Sequence, residues 1–369
     1  MTSAPADTAP ASTDASPATM APATTAAVVP DAATALAYSE PGEYGVGFTT
    51  LTLPSGSPVA IWYPAEVPDG STITYDVRDS LPEALRALLT GDVPATFSVP
   101  GAVGAPPASG TFPAIVYSHG FAGINVGSSF LTAHLASWGF IVAAPEHTSR
   151  DLSAVTGGQT GSDPTAAIDD VLATVELLRG LPDADVDHLV LVGHSAGGGT
   201  VLGAATRSAD VDAYVSLASG VFAPEGEQPV MPSQPSLFVG GLLDSVVAND
   251  RTTGAFDAAP APSRLWLLGG VGHNGFDDFC TIGGGTGIVG LAEASGLGAF
   301  LDTNPQLRSL GSDGCVPPAV PVADAWPVIR HVVTAFAREQ VGFDDPAVGL
   351  GPEVLGAYPI DVSITEKLG

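Results

Sequence analysis

The pentapeptide Gly193-His194-Ser195-Ala196-Gly197 fits the pattern G-x-S-x-G. It follows the apolar run Leu189–Val192 and precedes a run of small residues, 198–205, suited to a closely packed helix. A strand that passes directly into a helix here must turn sharply. The turn leaves the serine hydroxyl exposed, and the glycines make room for strand and helix. The pattern alone is weak, because in a chain with 45 glycines chance supplies on the order of 0.4 matches. Its context makes Ser195 a candidate nucleophile; the plain alternative is a strand–helix turn with a capping serine.

A serine hydroxyl attacks a carbonyl only if a base takes its proton, and the base needs an acid to orient it. His273 is the only histidine between Ser195 and His331, and it lies in a glycine-rich loop after the apolar run Arg264–Leu268. His331 falls inside the expected last helix. The acid expected is Asp244, just after the run Ser236–Val239, with Asp250 and Asp257 as nearby alternatives. Asp277 and Asp278 follow His273 too closely to orient it and read as polar loop residues or caps. An oxyanion needs two fixed N–H donors. Ala196, directly after the nucleophile, and Phe121, after Ser118-His119-Gly120, are the candidates. His119 is expected to brace its loop and His194 to pack beside the turn, while His134, His188 and His331 read as structural or surface residues. Activity is expected to rise as His273 loses its proton. No metal or organic cofactor is implied.

These residues need elements to hold them. Strands are predicted at Gly47–Leu53 and Val59–Tyr63, joined by the turn Pro54-Ser55-Gly56-Ser57, and then at Ala114–Tyr117, Phe140–Ala144, His188–Val192, Ala213–Leu217, Ser236–Val239 and Arg264–Leu268. Helices are predicted at Ser129–Ser137, over Thr165–Leu178 on the spacing of Ile168, Val171, Leu172, Val175 and Leu178, from Ala196 to about Thr206, and at Ala323–Gln340. Pro327 is tolerable there only if it falls in the first turn. Residues 64–112 read as irregular apart from a short helical run, Leu81–Leu89. Alternating strands and helices argue for an α/β fold: a mostly parallel central sheet with helices on both faces and an N-terminal antiparallel hairpin.

The chain has 369 residues and a formal charge of −28, with Lys367 its single lysine. Such a surface disfavours nucleic acid and anionic membranes; it reflects solubility, or a saline habitat that screens self-repulsion. No apolar run reaches the ~20 residues of a spanning helix. Residues 1–37, rich in Ala, Thr, Pro and Ser, read as a disordered linker. Residues 38–341 form the expected domain, large enough for one core and a monomer, and 342–369 an extension. The two cysteines, Cys280 and Cys315, flank the glycine-rich stretch and suit a disulfide, with two buried thiols as the alternative. Residues 281–320 read either as a flap over the site or as a surface excursion. No signal segment is visible, but a tract like 1–37 often follows a cleaved one, so a secreted or cell-envelope location is expected, with the cytoplasm as the alternative.

Ser118-His119-Gly120-Phe121, the stretch Leu135–His147, Val46-Gly47-Phe48, Ala60–Pro64 and His273–Phe279 together resemble plasma-type platelet-activating-factor acetylhydrolases. Dienelactone-hydrolase-like esterases and cutinase-like polyester hydrolases share the Ser-His-Gly-Phe and elbow patterns. The resemblance runs from about residue 45 to 340 and implies the α/β-hydrolase fold, with a triad in the order Ser195, Asp244, His273. Serine stands where dienelactone hydrolases carry cysteine, and Ala196 is smaller than the residue that cutinase-like enzymes usually place after the nucleophile. Glu146-His147 matches the acetylhydrolase pattern, with a structural role. The function expected is hydrolysis of carboxylic esters with short to medium acyl chains. The alternatives are an extracellular hydrolase of polymeric esters, which needs an open groove, and a non-catalytic binding protein on a hydrolase scaffold. An amidase or acyltransferase uses the same acyl-enzyme.

Overall fold

The computed structural model describes residues 1–2, 35–89, 92–159, 161, 163–221, 229–344 and 348–369. The linker expected over 1–37 therefore lies almost wholly outside the described residues. The chain is already packed at Ala35, which is buried, as is Tyr38.

Among the described residues twelve strands form, β1 Gly45–Thr52, β2 Pro58–Ala65, β3 Thr72–Asp76, β4 Thr96–Pro100, β5 Ala102–Val103, β6 Phe112–Ser118, β7 Ile141–Pro145, β8 Ala184–His194, β9 Ala213–Leu217, β10 Ser236–Gly241, β11 Ser263–Leu268 and β12 Val362–Lys367. Ten of them make one sheet in the order β12-β11-β10-β9-β8-β6-β7-β2-β1-β5. The run from β7 through β6 and β8 to β11 is parallel. The hairpin β1–β2 joins it antiparallel through β7, as does β12 at the other edge. The expected C-terminal extension thus supplies the last strand of the sheet.

The longer helices are α1 Ser129–Ser137, α2 Pro164–Arg179, α3 Ala196–Arg207, α4 Asn249–Ala258, α5 Gly287–Ala294, α6 Gly298–Thr303, α7 Pro305–Ser312 and α8 Val322–Gln340. They cover the sheet on both faces, and the alternation along each strand shows how. Val190 and Val192 join the core built with Phe130 and Leu135 of α1 and Ile329, Val333 and Phe336 of α8. Leu189 and Leu191 join the opposite core, with Ile168 and Val171 of α2 and Val201 and Leu202 of α3. Strands buried on both faces read as continuous apolar runs, and β6 is buried at every residue.

Three regions depart from expectation. Residues 64–112 are not irregular: β3 and β4 pair as a separate antiparallel ribbon. Ile73, Tyr75, Phe97 and Val99 alternate inward there, a period-two signal too short to stand out. The stretch 281–320 contains α5, α6 and α7 rather than a long loop. Pro327 is the sixth residue of α8, past the first turn. Pro327 has no N–H, so the carbonyl of Ala323 loses its helical donor.

Candidate active site

Ser195 joins β8 to α3 with φ 55° and ψ −123°. A non-glycine residue in that region carries strain of roughly 1–3 kcal/mol and persists only where its surroundings hold it. Here the Ser195 N–H donates to the Leu217 carbonyl at 2.8 Å, and Gly198 donates back to the Ser195 carbonyl at 2.9 Å. A Cβ on Gly193 would stand 2.2 Å from the Gly197 oxygen, and one on Gly197 would stand 1.9 Å from the Ser118 oxygen. Both glycines are therefore steric necessities where β8, α3 and β6 converge.

The loops after β10 and β11 reach this point from the same sheet edge. His273 Nε2 lies 2.9 Å from Ser195 Oγ, and His273 Nδ1 lies 2.8 Å from Asp244 Oδ2. The other Asp244 oxygen accepts the N–H groups of Val246 at 2.9 Å and Val247 at 2.7 Å. The carboxylate is thus committed on both sides, and the His273 and Asp244 side chains are 2% and 1% exposed. The alternative acids, Asp250 and Asp257, are exposed on α4. Asp277 and Asp278 are buried, and each accepts a backbone N–H as a cap, Asp277 from Phe279 at 2.9 Å. Asp278 accepts the Phe130 N–H in the first turn of α1 at 3.0 Å, a cap supplied from across the fold, and burial pushes its pKa up to about 7. Burial also lifts Asp277 well above the ordinary carboxyl range.

The Ala196 N–H belongs to the first turn of α3, where helical donors have no partner within the helix. Phe121 faces the same pocket from the opposite loop. That loop rests on Arg150, a buried cation that sequence reading passed over. One guanidinium nitrogen donates to the His119 carbonyl at 2.7 Å and to Ser118 Oγ at 3.1 Å. Another donates to Thr200 Oγ1 on α3 at 2.8 Å. Burial lowers its pKa to about 10, which leaves it charged at neutral pH. His119 Nδ1 lies 2.8 Å from the Gly120 carbonyl, and its Nε2 lies 2.9 Å from Glu146 Oε1 and 3.0 Å from the His147 backbone nitrogen, which fixes the ring beneath the loop.

Beneath the loop lies a second serine–histidine–aspartate chain. Ser118 Oγ is 2.8 Å from His147 Nε2, and His147 Nδ1 is 3.0 Å from Asp170. Ser118 and His147 are 0% exposed, so no substrate meets them, and burial holds the imidazole neutral. His194 stacks on Phe276 and lies tilted against His273. His134 and His331 are buried against the Tyr38 and Gly349 carbonyls, and His188 is exposed beside Asp185.

A cavity of about 540 Å³ opens onto Ser195 and His273. Ile124, Leu152 and Val155 line one side; Ile288, Val289, Leu297, Phe300 and Leu301, from the 281–320 segment, line the other. Among the described residues lining it there is no lysine or arginine. A disulfide, Cys280–Cys315, closes this capping segment beside the His273 loop.

The architecture has close relatives among solved structures. A ferulic acid esterase from Streptomyces cinnamoneus superposes with a TM-score of 0.62, at 21% identity, over 89% of this chain and 99% of its own. The chain has the α/β-hydrolase fold. A profile of the chlorophyllase family matches residues 88–240 of this chain, the part that carries the Phe121 loop and the Ser195 elbow. Together the two comparisons indicate a carboxylic-ester hydrolase. A search of curated proteins finds no significant match. The fold recurs in 821 solved chains, so fold alone does not name a substrate.

Proposed function

We propose that this hydrolase cleaves carboxylic esters through a Ser195–His273–Asp244 triad and an acyl-enzyme. The observation that carries the reading is the continuous chain from Ser195 Oγ through His273 to Asp244, at 2.9 and 2.8 Å, at the floor of an apolar cavity. Ser195 Oγ attacks the ester carbonyl while its proton passes to His273 Nε2. The oxygen of the tetrahedral intermediate takes the charge and faces the N–H groups of Ala196 and Phe121. Collapse breaks the bond to the alcohol, which leaves with the proton from His273. Water then gives a proton to the same nitrogen, attacks the acyl-serine, and releases the acid and free Ser195. Asp244 stays ionised and steadies the imidazolium.

The acyl group expected is short to medium and uncharged. A cavity of this size holds a small molecule, and its described lining has no lysine or arginine to pair with an anionic substrate. The capping segment argues for small esters over polymer surfaces, because a polymer needs an open groove. The disulfide supports a secreted or cell-envelope location, since oxidising compartments are where such bonds persist.

The test is hydrolysis of p-nitrophenyl esters of increasing acyl length, wild type beside Ser195→Ala. Turnover by wild type with loss of at least roughly 10³-fold in the variant is the expected result, and the chain-length optimum sizes the cavity. Equal activity of the two proteins refutes the nucleophile.

A further inference from the structure

The residue after α7, Asp313, lies in the capping segment and belongs to no triad, yet it touches both loops that carry the triad's acid and base. Its Oδ1 accepts the backbone N–H of His273 at 2.6 Å. Its Oδ2 accepts the Ser245 N–H at 3.2 Å and also contacts the Ser245 hydroxyl, one residue beyond Asp244. Its carbonyl accepts the Asn274 N–H at 2.9 Å. The approach is close: a Cβ on Gly272 would stand 2.5 Å from the Gly314 Cα and 2.7 Å from Asp313 Oδ1.

Asp313 is itself well framed. Its own N–H donates to the Ser309 carbonyl in α7, and two residues on, Cys315 is bonded to Cys280. Leu310 and Gly311, just before it, line the cavity, and the Asn274 side chain donates to the Leu310 carbonyl at 2.7 Å. One carboxylate therefore spans the acid loop and the base loop from the same rigid corner that walls the substrate cavity.

We propose that Asp313 is a positioning residue: it sets the separation of the Asp244 and His273 loops and so holds the imidazole in line with Ser195. The proposal rests on the triad reading above. Neither backbone N–H that it takes up belongs to a regular strand or α-helix; without the carboxylate the loops stay joined by the Leu243 N–H on the Val271 carbonyl at 2.8 Å and by the Asp244–His273 pair, but lose the bridge nearest the imidazole. A displacement of about 1 Å between reacting groups can cost up to roughly 100-fold in rate.

The experiment uses the full chain and the variants Asp313→Ala, Asp313→Asn and Ser245→Ala. It measures kcat and KM on a p-nitrophenyl ester, and the rate at which a p-nitrophenyl phosphonate labels Ser195. Labelling also counts intact sites, and an unfolding curve confirms the fold. Asp313→Ala is expected to lower kcat and the labelling rate in parallel by roughly 10- to 100-fold, with KM within about threefold, since the cavity walls remain. Asp313→Asn keeps one acceptor oxygen and should fall between it and wild type. Ser245→Ala, which removes only the hydroxyl contact, should lose the least. A folded Asp313→Ala protein with kcat and labelling within twofold of wild type overturns the proposal, as does a loss confined to KM. If Asp313→Ala does not fold, Asp313→Asn decides by the same two criteria. Wild type that cannot be labelled at Ser195 overturns the triad reading itself, and with it this one; labelled wild type with an equally labelled variant overturns only the role of Asp313.

Discussion

Arg150 offers a direct test of how the oxyanion donors are held. The two proposed donors sit on different elements, Phe121 on the loop after β6 and Ala196 at the head of α3. The guanidinium spans both, through the His119 carbonyl at 2.7 Å and Thr200 Oγ1 at 2.8 Å. Arg150→Met keeps the length and the packing of the stem but leaves the His119 carbonyl without that donor. An unsatisfied buried carbonyl costs about 1–3 kcal/mol, which the loop can relieve by moving. Losing one oxyanion donor outright costs about 2.7–4 kcal/mol in the transition state. A displaced donor forfeits part of that, so about 1.4–2.7 kcal/mol is expected, a 10- to 100-fold fall in kcat. Arg150→Lys should fall less far, because a single ammonium keeps the charge but cannot fork to both partners. The assay is kcat and KM on a p-nitrophenyl ester, with inhibition by a boronic acid that mimics the tetrahedral intermediate. Affinity for the boronate should weaken in step with kcat, while KM changes little. A folded Arg150→Met protein with unchanged kcat, or one that loses only KM, refutes the reasoning.

Two further predictions concern stability. Burial lowers the pKa of His134 to about 3 and of His331 to about 4, so below the ordinary histidine value of about 6.5 the unfolded chain binds the extra protons and stability falls with pH, by about 2 kcal/mol per histidine at pH 5. Asp278, raised to about 7, and Asp170, raised to about 6, oppose this by taking up protons first in the folded state, regaining about 2 and about 1 kcal/mol over the same range, while His147 and His194, also lowered by burial, add to the loss; urea midpoints at pH 7 and 5 should show a net loss, and a midpoint that rises on acidification contradicts the histidine accounting. The Cys280–Cys315 bond closes a separation of 35 residues, worth about 3–4 kcal/mol in the chain-entropy model. Cys280→Ser with Cys315→Ser should therefore lower the urea midpoint and slow turnover by loosening the cap, and an unchanged midpoint would show that the bond restrains little.

Much of this fold is legible where structure is local. The strand at Ala213–Leu217 has the same bounds in sequence and structure, because its residues, Ser216 apart, are apolar and the charged Asp210 and Asp212 lie just before it. Ser195 can be picked out because strand, turn and small-residue helix lie within about twenty consecutive residues, and the structure sets it at that turn. His273 and Asp244 can be singled out because each stands in a loop after an apolar run. What sequence hides is whatever depends on the far side of a contact. Arg150 looks like any arginine after a strand until Ser118, His119 and Thr200 converge on it. Asp313 lies 40 residues from the His273 N–H that it accepts. Asp277 and Asp278 carry the polarity of a loop, yet the packing of α1 and the His273 loop buries them. The ribbon β3–β4 was missed for another reason: two five-residue strands give too few alternations to stand above the noise.

The charge distribution completes the proposed chemistry. The chain carries a formal charge of −28, while the cavity at Ser195 has no lysine or arginine in its described lining. Asp277, the one carboxyl in that lining, is held well above its ordinary pKa by burial, which disfavours its charged form. A neutral ester crosses this surface without electrostatic cost and meets apolar walls. An ester bearing a carboxylate must move against the field and finds no cation to pair with. Hydrolysis reverses the balance: the acid product ionises, the apolar walls disfavour it, and the surrounding negative potential disfavours its return. On the proposed mechanism, the acidic surface thus also favours release of the acid product.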